Sequence, residues 1–134
     1  MTNKAKVQAM YEAFGRGDVP AILEHLDENV RWEQPASPTD VPWLQPRDGR
    51  AGAAEFFASL QALEFTRFEV KNVLEDGDLV IGICDVSATV RANGVTFDDP
   101  DEAHLWRFNE AGLVTSFRHR VDTYAQWKAF HGER

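Results

Sequence analysis

Three residues of this chain are of the types best suited to moving protons: His104 and His119 toward its end, and Glu33 nearer its start. Imidazole titrates near pH 6.5, so a modest change of surroundings lets it give or take a proton at neutral pH. A carboxylate held among apolar groups is pushed toward the same range and can serve as a general base. Each has a second, purely structural reading. His119 is either such a group or a core histidine satisfied by a nearby carboxylate or carbonyl. His104 is either its partner or packing beside Trp106. Glu33 is either a base or a solvated strand residue. Asp122 is a fourth candidate. Strand alternation turns it away from His119, which favours a cap for a helix starting at Thr123, and only a bulge would turn it inward.

Aromatic residues could wall a site around these groups: Tyr11, Trp32, Trp43, Phe57, Trp106 and Phe117. Tyr11 and Trp106 also fit a plain core. Trp43 lies between Pro42 and Leu44 in a proline-rich stretch with no core in view, so it reads as a lid over a ligand or as a dimer contact. Cys84 stands in the apolar run Val80-Ile81-Gly82-Ile83-Cys84 and reads as a buried, inert thiol. The acidic run Asp98 to Glu102 lacks the spacing of a calcium loop and reads as a solvated turn. No phosphate loop, zinc cysteine pair, HExxH or nucleophile elbow occurs, so neither a cofactor nor a metal is expected.

The elements that must position these groups follow from periodicity. Val7, Met10, Tyr11 and Phe14 recur as one helix face, stopped by Gly15 and Gly17. Asp18 caps a second helix with Pro20 in its first turn and Ile22, Leu23 and Leu26 buried. Residues 29 to 34 read as a strand and residues 35 to 48 as a long proline-rich loop. A third helix starts at about Gly52 and presents Phe56, Phe57, Leu60 and Leu63. Strand patterns then run to Val121, turning at residues 75–78, at Asn93-Gly94 and at residues 109–112. Tyr124, Trp127 and Phe130 mark a short last helix. The predicted order is α-α-β-α-β-β-β-β-α.

Antiparallel strands leave one face free for cover, and the N-terminal helices must bury their apolar stripes on it. A curved sheet wrapped round those helices leaves a conical gap. In the last hairpin a simple four-residue turn places Phe108 opposite Leu113. Glu102, His104, Trp106 and Phe108 then share an inward face with Leu113, Thr115, Phe117, His119 and Val121. His104 falls nearly opposite Phe117 and one diagonal step from His119. The result is an apolar pocket with a few polar groups, the usual build of a ligand site.

The bulk properties agree. The chain has 134 residues, 43% hydrophobic and 27% charged, which suits a single domain spanning 1–134. Its net charge of −8 disfavours nucleic acid and anionic membranes as partners. The single cysteine allows no intrachain disulfide. The start has no apolar signal region and no stretch reaches the length of a membrane span, so a cytoplasmic protein is expected.

Several segments together resemble SnoaL-like proteins of the nuclear transport factor 2-like superfamily. They are Tyr11-Glu12-Ala13-Phe14-Gly15-Arg16-Gly17-Asp18, Asn29-Val30-Arg31-Trp32-Glu33-Gln34-Pro35, and Arg47-Asp48-Gly49-Arg50 followed by Phe56-Phe57. The closing pair is His104-Leu105-Trp106-Arg107-Phe108 and Phe117-Arg118-His119-Arg120-Val121-Asp122. The resemblance implies an α+β fold, a cone-shaped curved antiparallel sheet wrapped around N-terminal helices (the cystatin-like α+β barrel). It also implies a homodimer through the outer sheet face and polar pocket residues near 33, 104, 119 and 122. The superfamily contains polyketide cyclases, ketosteroid isomerases, dehydratases and limonene-epoxide hydrolase, so fold alone does not select a reaction. The epoxide hydrolase has a carboxylate where this chain has His119, a departure from that constellation. The expectation is a cofactor-independent acid/base enzyme of isomerase, cyclase or dehydratase type. Its substrate would be a small apolar ketone, lactone or polyketide-like molecule. The alternative is a non-catalytic binding protein for an apolar metabolite.

Overall fold

A computed structural model describes residues 1–134. Helix α1 (Asn3–Gly15) is capped by Thr2, whose side chain accepts from the Ala5 N–H, and it buries Val7, Met10 and Ala13. The chain reverses at Gly17, whose positive φ of 73° glycine adopts without strain. Helix α2 (Val19–Leu23) follows, capped by Asp18. Helix α3 (Gly49–Ser59) lies after the proline-rich segment and buries Gly52, Ala53 and Phe56.

The sheet has six strands: β1 (Leu26–Trp32), β2 (Arg47–Asp48), β3 (Leu63–Asp76), β4 (Leu79–Val90), β5 (Thr96–Phe108) and β6 (Val114–Arg120). Their spatial order is β2-β1-β6-β5-β4-β3. Helix α4 (Thr123–Phe130) closes the chain. The predicted order of elements holds, with the two-residue β2 added. The sheet is curved and unclosed, as the cone requires, and it is mixed rather than wholly antiparallel. β1 runs parallel to β6, and α3 with strands β3 to β5 supplies the long connection that parallel neighbours need.

Strand β4 shows the pattern most plainly. Buried and half-buried residues alternate along its whole length, with Val80, Gly82, Cys84, Val86, Ala88 and Val90 turned inward. Several of these side chains are small, and small residues on the concave face hollow out a sheet that larger ones would fill. The core also draws on aromatics from other strands of the sheet, Trp32, Trp106 and Phe117, and on Phe56 from α3.

Three boundaries and one register differ from expectation. Leu26 and Leu63 begin strands β1 and β3 rather than end helices. β1 stops at Trp32 because Glu33 has a φ of 59°, outside the strand region. In the last hairpin His104 pairs with His119 and Trp106 with Phe117, two residues away from the simple register. A bulge follows between Arg107 and Phe108, so Phe108 pairs with Val114. Thr115 is the extra residue, and Val114 rather than Leu113 or Thr115 is fully buried. No helix is long and apolar enough to cross a membrane.

Candidate functional site

The concave face encloses a cavity of about 70 Å³ lined by 20 residues, 16 of them hydrophobic. Its four other residues are Glu102, His104, His119 and Gln126, and Tyr11 adds a hydroxyl. The aromatics expected to wall a site, Tyr11, Trp32, Trp43, Phe57, Trp106 and Phe117, all line it. The Trp32 indole stacks on Phe117 with ring centroids 4.2 Å apart, and Trp106 meets Phe117 edge-on at 4.5 Å.

Glu33 and His119 form one titratable pair. Glu33 Oε1 accepts from the His119 backbone N–H and lies 2.6 Å from His119 Nδ1. An ionised carboxylate only accepts, so Nδ1 carries the proton and Nε2 is left with its lone pair and no protein partner. The left-handed backbone at Glu33 makes this contact possible. In regular strand geometry, neighbours point to opposite faces. Here Trp32 and Glu33 are consecutive and both buried. Burial pulls the His119 pKa down, but the Glu33 charge and hydrogen bond outweigh it, and the group ends above its ordinary value. His119 also lines an outer groove with Glu33, residues of the loop 35–39 and α4, so it stands between cavity and surface.

His104 and Glu102 form the second pair, with His104 Nε2 2.8 Å from Glu102 Oε1. The other nitrogen, Nδ1, lies 2.7 Å from the Tyr11 hydroxyl. The Tyr11 oxygen in turn accepts from the Trp106 indole N–H at 3.3 Å. Protons can be assigned without conflict: Nε2–H donates to Glu102, and the Tyr11 O–H donates to Nδ1. Burial pushes the Tyr11 hydroxyl far above its ordinary pKa, so it stays protonated. Burial also pushes the Cys84 thiol up to about 11, which leaves it a neutral side chain beside His104. Across the register His104 faces Gly82, and a Cβ at that glycine would come 2.0 Å from the Tyr11 hydroxyl oxygen. Glycine at this position is what gives Tyr11 its place. The two histidine rings lie 6.2 Å apart.

A third polar chain runs through Trp43 and Gln126, both of which line the cavity. The Trp43 indole N–H donates to Gln126 Oε1 at 2.7 Å, and Gln126 Nε2 donates to Asp99 Oδ2 at 3.3 Å. Asp99 Oδ2 also accepts from the Asp122 backbone N–H. Burial raises the Asp99 pKa. Trp43 therefore does have a core to join. It is 2% exposed, packed on Phe97 and Phe130, and it pins the second half of the loop to α4.

Asp122 accepts from the Ala125 N–H as the N-cap of α4 and is not among the cavity-lining residues. The acidic run is not a solvated turn but part of β5, with Asp99 and Glu102 buried. Cys84 pairs with Glu102 and Val86 with Asp99, so Pro100 and Asp101 bulge out opposite Asp85. The bulge turns two carboxylates three residues apart to the same side. Asp85 holds it by accepting from the Asp101 N–H, and Lys71 bridges Asp85 and Asp101. Sequence reasoning put Glu102 on the inward face without a role, and it missed Asp99, Gln126 and Gly82. The one readable signal was Glu102 two residues before His104, on the same strand face. No group of three or more His, Cys, Asp or Glu side chains is arranged to hold a metal ion.

A helix-backed curved sheet around an apolar cavity is the architecture of nuclear transport factor 2-like proteins. The chain belongs to the SnoaL-like domain family, whose model matches residues 7–117. Solved structures agree in fold. An NTF2-like protein from Burkholderia xenovorans LB400 is 25% identical, with a TM-score of 0.82 over 96% of this chain and 95% of that one. TerC, co-crystallised with polyporic acid, is 26% identical, with a TM-score of 0.75 over 96% of this chain and 98% of its own. RV0760c from Mycobacterium tuberculosis, in complex with estradiol-17beta-hemisuccinate, is 19% identical, with a TM-score of 0.70 over 90% and 94%, a likeness of fold alone. No curated protein matches the sequence.

Proposed function

We propose that this protein is a cofactor-independent acid/base enzyme acting on a small, largely apolar carbonyl compound. The observation that carries the reading is His119. Its Nδ1–H is held by Glu33, its Nε2 is free of protein partners, and the residue stands on the wall of an apolar cavity. In this reading Nε2 takes a proton from the carbon beside the substrate carbonyl. The electrons move onto the carbonyl oxygen, and the Glu33 carboxylate stabilises the imidazolium that forms. Return of the proton to a different carbon of the substrate gives an isomerase, and its delivery to a β-hydroxyl, whose C–O bond breaks to release water, gives a dehydratase. Attack of the enolate carbon on a second carbonyl of the same molecule, whose oxygen then takes the proton, gives a cyclase. Glu102 and His104 hold Tyr11 as a neutral hydroxyl, a hydrogen-bonding group rather than a base.

The test is exchange of the α-protons of small ketones such as acetone and cyclohexanone for deuterium in D₂O, followed by proton NMR. The wild-type protein should accelerate exchange, with a rate that rises as pH passes through the raised His119 pKa. His119→Ala should reduce the rate by about 10²–10⁴-fold while keeping the fold. No acceleration with any ketone the protein binds would remove catalysis.

The second reading is a binding protein without chemistry. It is favoured by a lining that is hydrophobic at 16 of 20 positions. A relative with similar architecture, TerC, was crystallised with the small molecule polyporic acid. This reading predicts ligand affinity that survives His119→Ala.

A further inference from the structure

The Trp32 indole Nε1 is the one buried side-chain nitrogen or oxygen with no hydrogen-bond partner. The other cavity indoles are satisfied, Trp43 by Gln126 and Trp106 by Tyr11. Trp32 is 0% exposed. Folding strips such an N–H of water without replacing the bond, and native proteins tolerate few of these. The same sequence elsewhere finds partners for buried groups as awkward as Glu102 and Asp99. Phenylalanine at position 32 would have supplied an aromatic ring without leaving a donor unpaired.

The indole is also held in place. It stacks on Phe117 with an interplanar angle of 23° and packs against Phe56, Phe57 and Trp106 at centroid distances of 5.3, 5.6 and 6.2 Å. A donor fixed in this way loses little freedom when it meets an acceptor. Its position in the chain matters too. Trp32 immediately precedes Glu33 and is paired in register with Phe117, two residues before His119. The unpaired donor and the Glu33–His119 pair therefore belong to the same adjoining ends of β1 and β6.

We propose that the Trp32 N–H is the donor that binds an oxygen of the small molecule occupying the cavity. It selects carbonyl or hydroxyl compounds over hydrocarbons of the same shape and brings that oxygen to the wall carrying His119. The inference rests on the cavity being a ligand site, as in the function proposed above, but not on proton transfer.

Cyclohexanone and methylenecyclohexane test it, since they differ only in exchanging the carbonyl oxygen for CH₂. With ¹⁵N-labelled protein, cyclohexanone should move the Trp32 indole N–H resonance downfield and methylenecyclohexane should not. Trp32→Phe keeps the aromatic body and removes the donor. It should weaken cyclohexanone about tenfold, the effect of one lost hydrogen bond, and leave methylenecyclohexane unchanged. Equal wild-type affinity for the two probes would overturn the proposal. So would equal weakening of both by Trp32→Phe, or a long-lived water on the Trp32 N–H that saturating cyclohexanone fails to displace. The two readings on the wild-type protein, relative affinity and the water, stand even if the variant does not fold. Binding of neither probe removes the ligand site and this inference with it. Selective ketone binding without α-proton exchange sustains the inference and removes only the catalytic reading.

Discussion

Each of the two buried histidines leans on a buried carboxylate, yet the two pairs are built for opposite ends. Glu33–His119 sits where β1 breaks off in a left-handed residue, between the cavity and an outer groove, with one imidazole nitrogen uncommitted. Glu102–His104 sits in mid-sheet, with both nitrogens engaged and Tyr11 and Trp106 completing the chain. The difference shows that a histidine–carboxylate pair is not in itself a catalytic feature. What matters is whether a lone pair is left over and whether anything can reach it. A satisfied pair rigidifies the wall, while an incompletely satisfied one can do chemistry on what the wall encloses.

The contrast is most sharply tested by removing each histidine in turn. His104→Ala strands the buried Glu102 carboxylate and deprives the Tyr11 hydroxyl of its acceptor. Breaking one side of a buried charged pair is strongly destabilising, and a loss of about 3–5 kcal/mol is expected from urea unfolding. His119→Ala leaves Glu33 its bond from the backbone N–H of residue 119 and access to the groove. Its stability cost should be clearly smaller, and its effect should fall on ketone exchange instead. Equal stability losses in the two variants would erase the distinction between a structural pair and a working one.

This division also explains what could be read from the sequence. The alternation in β5 and β6 put His104 and His119 on the inward face although the assumed register was off by two residues. A slip of two preserves the face, whereas a slip of one would have inverted it. The carboxylate partners were harder. Glu33 reaches His119 only because its backbone leaves the strand region. Asp99 and Glu102 turn inward together only because a bulge sets two residues, one more than a regular ladder has, opposite Asp85. Neither irregularity leaves a periodic trace, and both depend on contacts with distant segments. Trp43 shows the same limit: its core is assembled from Phe97, Phe130 and Gln126, none of them local. The helices, the hairpins and their order were legible because each rests on short-range spacing.

Gly82 probes the quieter pair from the opposite strand. Alanine there would put a methyl carbon 2.0 Å from the Tyr11 oxygen, a contact that forces the ring or the sheet to move. Overpacking of this kind costs about 1–3 kcal/mol. Gly82→Ala should therefore lower the urea midpoint by less than His104→Ala. Gly82→Ala combined with Tyr11→Phe should recover part of the loss, because the clashing oxygen is gone. A Gly82→Ala protein as stable as wild type would mean that Tyr11 is not seated where the His104 network requires it.

The smallest effect, and the one most specific to the working pair, is in the pH dependence of stability. The folded pKa of His119 lies above its unfolded value near 6.5 because Glu33, with smaller help from Glu102 and Asp99, outweighs burial. The folded state thus holds the proton more tightly. That contribution is fully present below pH 6.5 and is lost as pH rises through the raised value. His25 acts in the other direction and in a lower window. Burial, followed by Lys6, pulls its pKa down, so its proton opposes folding and stability is regained as pH climbs toward 6.5. Between them the two histidines should place a maximum of the urea midpoint near pH 6.5. His119→Gln should flatten the decline on the alkaline side and leave the acid side unchanged. If the alkaline decline persists in His119→Gln, the proton is not held by the Glu33 pair. His119 would then lack the raised basicity that its place beside Glu33 confers.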